Sequence, residues 1–120
     1  MLTELEKNAI RDHYRALSEN LPNFRPRTAQ REMIAAIANA FSRTKTQKEG
    51  EEAPKREGES IVVIEGPTGV GKSLAYLLSG GIMAQTRGKR LIVSSATVAL
   101  QEQLVGRDLP FVVEKSGLEL

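Results

Sequence analysis

Residues 66–73 read Gly-Pro-Thr-Gly-Val-Gly-Lys-Ser, a complete GxxxxGK(S/T) pattern. These residue types can cradle a nucleoside triphosphate with its magnesium. Glycines at 66, 69 and 71 permit backbone angles and close approach that a Cβ would obstruct. The backbone of Gly66, Thr68, Gly69, Val70 and Gly71 can then turn successive N–H groups toward phosphate oxygens, at the positive end of a helix. Lys72 supplies a point charge for the β- and γ-phosphates and is the candidate catalytic residue. Ser73 offers its hydroxyl to Mg²⁺. A Gly-rich strand–helix turn that binds nothing is the alternative for such a loop.

The flanking sequence decides in favour of the phosphate cradle. Ile61-Val62-Val63-Ile64 is an unbroken β-branched run of strand length, and Leu74-Ala75-Tyr76-Leu77-Leu78 opens a helix. Strand, glycine-rich turn and helix is the setting the motif requires. Leu91-Ile92-Val93 predicts a second buried strand and one right-handed βαβ crossover. The expected fold class is therefore α/β: a partial RecA-like P-loop NTPase domain, with parallel strands and flanking helices, preceded by two N-terminal helices. Ile61–Ile64 lacks the alternation of a half-exposed strand, so it should be covered on both faces and paired on both sides. Two strands are too few for that. The chain reads as the N-terminal part of a larger α/β domain, or as one that depends on a partner chain.

Upstream, residues 3–20 predict a helix with Thr3 and Glu6 as a capping box. Leu5, Ala9, Ile10, Tyr14 and Leu17 form its apolar stripe. His13 borders that stripe and reads as a surface or packing residue rather than a catalytic base. The two prolines of 21–26 resist helix. A second helix over 28–41 carries Met33, Ile34, Ile37 and Phe41 among small alanines, a pattern for close packing. Residues 43–60 are charged and nearly free of apolar side chains, as a mobile loop would be. Gly80-Gly81 marks a kink or a close contact within the helix after the P-loop. Residues 97–105 predict a short helix, and Asp108 and Pro110 predict the cap and first turn of another that Gly117 ends. The organisation is thus 1–42, N-terminal helices; 43–60, charged loop; 61–120, the start of the motor domain.

Composition sets few limits. The 120 residues hold 17 Lys and Arg against 15 Asp and Glu, a net charge of +2 that neither demands nor excludes a nucleic-acid partner. There is no cysteine and one histidine, so thiol chemistry and His-cluster metal sites are excluded from this chain. No apolar run approaches the roughly 20 residues of a membrane span, and the N-terminus reads as a polar helix rather than a signal peptide. The expectation is a cytoplasmic monomer with no membrane partner.

A P-loop does not choose among kinases, GTPases, AAA+ machines and helicases. Two further segments bear on the choice. Arg27 and Gln30 lie three apart at the start of the second helix. A glutamine amide carries a donor and an acceptor that match the N6/N7 edge of adenine. By spacing alone, a solvent-facing glutamine is the commoner outcome. Ser94-Ser95-Ala96-Thr97, leading into Gln101, places hydroxyls at a strand end and helix start. That arrangement can hold a phosphate backbone without reading bases, or can simply cap the helix.

Taken together, Phe24–Ile34, Ile64–Ser73 and Ser94–Leu104 resemble the Q-motif region, motif I and motif Ia of the DinG/XPD-type superfamily-two DNA helicases, nearest to the bacterial DinG group. The order and spacing of the three make the resemblance specific, and it covers essentially the whole chain. It implies the N-terminal part of an ATP-dependent 5′–3′ helicase that translocates on single-stranded DNA in repair and replication. It assigns Arg27 and Gln30 to the adenine, and Ser95, Thr97 and Gln101 to the DNA backbone. The cofactors it implies are ATP and Mg²⁺. An iron–sulfur cluster occurs in many members, but this chain holds no ligand for one. The acidic DEAH-type motif and the arginine finger are also absent; in the family all lie beyond the point where this chain stops. The 120 residues alone are therefore expected to be inactive. An unfoldase-like AAA+ ATPase and a stand-alone nucleotide-binding module are the competing readings.

Overall fold

The computed structural model describes residues 2–21, 27–43, 61–65 and 71–119. The connector 22–26, most of the charged loop (44–60) and Gly66–Val70 of the P-loop lie outside the described residues. Helix α1 spans Glu4–Asn20, α2 Thr28–Ser42 and α3 Lys72–Arg87. A short α4, Val98–Gln103, runs through a π-helical turn, Leu104–Asp108, into α5, Leu109–Ser116.

The expected parallel sheet is not there. Helix takes 74 % of the described residues, and no strand occurs among them. Hence neither the RecA-like α/β layering nor the βαβ crossover describes this structure. The reason is physical. A strand is defined by its neighbour, and a parallel one needs partners and cover on both faces. Val63 is 92 % exposed and Ile92 87 % exposed, so both apolar runs face water instead of a ladder partner.

The core forms among helices. The middle of α3, from Leu77 to Met83, is buried on all sides. Met33, Ile34 and Ile37 of α2 cover one flank. Val112 of α5 and Leu118 beyond it close another, with Ile10 and Tyr14 of α1 packed against the same cluster. Ser79 is fully buried and returns its hydroxyl to the Ala75 carbonyl at 2.8 Å, which satisfies it within its own helix. Gly80 marks a close contact: a Cβ there would meet Leu91 Cδ1 at 2.9 Å and Phe41 Cε2 at 3.5 Å. The segment after α3 therefore returns across that helix at Gly80.

The capping box of α1 is present, with Glu6 N–H donating to Thr3 Oγ1 and Thr3 N–H donating to Glu6 Oε1. The interior of this first turn is not what periodicity predicts. Leu5 is exposed and Glu6 is buried. Its carboxylate also accepts from Arg87 Nε at 2.8 Å, Arg87 Nη2 at 3.1 Å and Thr86 Oγ1 at 3.2 Å. Arg87 donates further to the Ser42 carbonyl at 3.1 Å, so one guanidinium ties the start of α1 to the ends of α2 and α3. His13 is a packing residue, as expected: its Nδ1 lies 2.8 Å from the Ser116 carbonyl, the end of α5. Asn20 donates to the neighbouring Lys115 carbonyl at 3.0 Å. Together they satisfy two carbonyls that a helix end leaves without partners.

The short C-terminal helices are joined rather than separate. Asp108 has helical angles and makes no side-chain cap, and the Leu109 amide bonds to the Leu104 carbonyl in the π register. The widened turn ends at Asp108, two residues before Pro110, whose ring and missing N–H conflict with an unbroken α ladder.

Hydrogen bonds from Arg87 hold the Glu6 carboxyl at about 2 against its ordinary 4.5. The folded state thus binds this proton less readily than the unfolded chain. Its contribution is fully present above pH 4.5 and is lost as pH falls through 2. Chemical denaturation should show this pH dependence, about 3 kcal/mol in all. Glu6→Gln should flatten it, and Arg87→Ala should cost about 3–5 kcal/mol by stranding the buried carboxylate.

Candidate phosphate-binding turn

The P-loop pattern ends in described residues. Gly71 stands at φ +76° as the N-cap of α3, so Lys72 and Ser73 form the first turn of that helix. The left-handed conformation there is one that glycine adopts without strain. Lys72 is exposed, while Ser73 is half-buried, with its Oγ 3.5 Å from the Tyr76 hydroxyl. Both open onto a groove of about 640 Å³, lined on other sides by Ile61, Val62 and Ile64 and by Leu91–Ser95. Asp108 faces the same groove.

Gln30 meets this turn from α2. Its residue exposure is 3 %, so it is not the solvent-facing glutamine that spacing favours. Gln30 Nε2 donates to the Gly71 carbonyl at 3.3 Å. Its Oε1 accepts from the Tyr14 hydroxyl at 2.7 Å. A Cβ on Gly71 would collide with Gln30 Nε2, so the glycine is required by contact as well as by conformation. Arg27 stands just outside α2 as its N-cap and is exposed, whereas Gln30 is buried. Tyr14 is the residue that sequence reasoning missed. It was legible only as an apolar-stripe position, and its hydroxyl could have been singled out only by knowing that α1 crosses the start of α2.

Burial raises the Tyr14 phenol above its ordinary pKa, against the opposing pull of the Arg31 charge and the Arg27 backbone N–H. The phenol therefore stays protonated and remains a donor across the neutral range.

Ser95, Thr97 and Gln101 come together at the start of α4. Thr97 Oγ1 accepts from the Leu100 amide at 3.2 Å as the helix N-cap. Gln101 Nε2 donates to the Ser95 carbonyl at 3.3 Å. Thr97 and Gln101 are exposed and Ser95 half-buried. The described geometry is that of local capping. Of the remaining predicted cradle residues, Gly66, Thr68, Gly69 and Val70 lie outside the described residues. Among the described residues no cluster of His, Cys, Asp or Glu could hold a metal ion. No described helix is long and apolar enough to cross a membrane.

No family model matches the chain. It is similar to proteins named ATP-dependent DNA helicase DinG. Identity is 42 % over 111 residues to that of Escherichia coli and to that of Salmonella typhimurium. It is 43 % over 110 residues to that of Photobacterium profundum. Each match covers 92 % of this chain and 14 % of the relative, so the chain spans about a seventh of their length. The sequence thus matches an N-terminal stretch of a DinG-type helicase.

Two left-handed glycines allow a controlled test of the Gln30 contact. Gly88 has φ +61° with nothing near its missing Cβ, whereas Gly71 faces Gln30. Gly88→Ala should cost about 1–2 kcal/mol from backbone conformation alone. Gly71→Ala should cost more, because it must also displace Gln30, as read from urea midpoints.

Proposed function

We propose that this chain is the nucleotide-gripping beginning of a DinG-type 5′–3′ DNA helicase, whose full-length form couples ATP hydrolysis to movement along single-stranded DNA in repair and replication. The similarity to proteins named as DNA helicases supports it across nearly the whole chain. The observation that carries the nucleotide part is the end of the Gly66–Ser73 pattern. Gly71 sits in the left-handed conformation the motif needs, and Lys72 and Ser73 open on a groove from the first turn of a 16-residue helix.

The donor set fits a magnesium–triphosphate group. Backbone N–H groups of Gly66, Thr68, Gly69, Val70 and Gly71 would surround the phosphates. Lys72 would neutralise the β- and γ-phosphates, and Ser73 would give Mg²⁺ a neutral oxygen. ATP supplies the phosphoanhydride whose cleavage drives the motor. Gln30 and Arg27 are proposed for the adenine. Because Gln30 is already held at both ends, it has one lone pair and one N–H left for a base edge. Ser95, Thr97 and Gln101 are proposed to meet the DNA backbone, without base readout. An iron–sulfur cluster, if the longer protein has one, draws its ligands from outside these residues, because the chain has no cysteine. We also propose a cytoplasmic monomer.

The test is the ATPase of the full-length protein with and without single-stranded DNA, over a range of salt. Stimulation by DNA is expected, and Lys72→Ala should lower the stimulated rate by about 10²–10³-fold. A rate indifferent to DNA would overturn the helicase reading in favour of an unfoldase-like ATPase. Residues 1–120 alone should bind nucleotide weakly and turn over negligibly, since an arginine finger is worth about 10³–10⁵ in rate.

A further inference from the structure

We propose that Tyr14 is a positioning residue for the phosphate-binding turn, acting on Gly71 through the amide of Gln30. The inference rests on the reading that Gly71–Ser73 closes a nucleotide-phosphate site, and adds to it a residue outside every motif in the sequence.

The Gln30 amide can point only one way. A backbone carbonyl only accepts, so the end of Gln30 that meets Gly71 O at 3.3 Å must be the NH₂. The carbonyl end then faces Tyr14, and needs a donor there. The Tyr14 hydroxyl is that donor: its O–H donates to Gln30 Oε1 at 2.7 Å. Each link in the series has one polarity: Tyr14 O–H to Gln30 Oε1, Gln30 NH₂ to Gly71 carbonyl. Without the Tyr14 hydroxyl nothing in the series discriminates between the two ends of the amide at its α1 side.

The second part is what the amide holds. Gly71 is the residue whose conformation launches α3, and its carbonyl accepts the Ala75 amide at 3.1 Å in the first helical hydrogen bond. The same oxygen therefore takes two donors, one along the helix and one from Gln30. Fixing that peptide fixes the direction of Lys72 and Ser73, which follow it. Gln30 is buried and Tyr14 half-buried, so water does not readily replace either link. The effect runs from α1, which carries no phosphate ligand, to the turn that does.

The experiment uses the full-length protein and two probes in the presence of Mg²⁺: a fluorescent ATP analogue, and inorganic tripolyphosphate as its competitor. Tripolyphosphate has no base, so it reports on the phosphate turn alone. Loss of analogue binding in Lys72→Ala establishes the site. Tyr14→Phe should then weaken tripolyphosphate by about 2- to 12-fold, and the ATP analogue by at least the same factor. Gln30→Glu keeps an acceptor for Tyr14 but cannot donate to Gly71, and should weaken tripolyphosphate at least as much. In a Gln30→Ala background, Tyr14→Phe should have no further effect. That non-additivity is a readout general destabilisation would not produce, and the melting temperature of each variant is recorded beside it. Tripolyphosphate binding unchanged in Tyr14→Phe, or losses that add in the double variant, would overturn the inference while leaving the nucleotide site standing. Wild-type protein that binds neither probe, or binding that survives Lys72→Ala, would overturn the site reading and this inference with it.

Discussion

A carboxylate that is 4 % exposed must be matched by donors or it will not stay ionised, and Glu6 sets that demand at the start of the chain. Thr3 meets part of it locally and completes a helix cap. Arg87 and Thr86, eighty residues on, meet the remainder. The consequence is geometric. Arg87 can reach Glu6 only if α3 ends beside the first turn of α1, and it holds the last turn of α2 through Ser42 at the same time. Such a pair is weak evidence of net stability, because desolvation offsets much of the attraction. Its contribution is register: three helix ends are brought to one point, and the apolar faces between them then have a single way to close.

The placement of the candidate site follows from that register. With α1 fixed at its start by Glu6 and along its second half by His13 and Asn20 on α5, Tyr14 lies where the beginning of α2 passes. Gln30 on α2 then falls between Tyr14 and the beginning of α3. The phosphate-binding turn is therefore held by the same helix packing that makes the core. Its glycine is constrained twice, by backbone conformation and by a neighbour that leaves no room for a side chain.

Helices were legible in the sequence where local signals agree. The expected first and second helices, over 3–20 and 28–41, match α1 and α2 to within a residue at each end, because a capping box, prolines and an apolar stripe all point the same way. The short C-terminal helix was legible as helix but not as part of a longer run, since a π turn relieving a proline leaves no signature of its own. The sheet was not legible, and the reason is instructive. Ile61–Ile64 and Leu91–Val93 carry the strongest β-branched signals in the chain, yet propensity describes a fit to a pleated surface that other strands must provide. For the site, the position of Lys72 and Ser73 at a helix start was readable from the motif. The burial of Gln30 and the part played by Tyr14 were not, because they depend on contacts across 41 and 16 residues of sequence.

The exposed apolar side chains of Ile61–Ile64 and of Ile92 and Val93 also bear on how copies of the chain meet in concentrated solution. Segments such as Ile61–Ile64, with no charge, no proline and backbone groups free of a ladder, are the kind that pair between molecules. The flanking residues temper this: Glu59 and Glu65 bracket one run, and Lys89 and Arg90 precede the other, with opposite signs. Like-charged guards repel copies of the same run, but the acidic guards of one attract the basic guards of the other. Any association that high concentration forces on the proposed monomer should therefore be heterologous, first run to second, and salt should weaken its electrostatic part while leaving the apolar part intact.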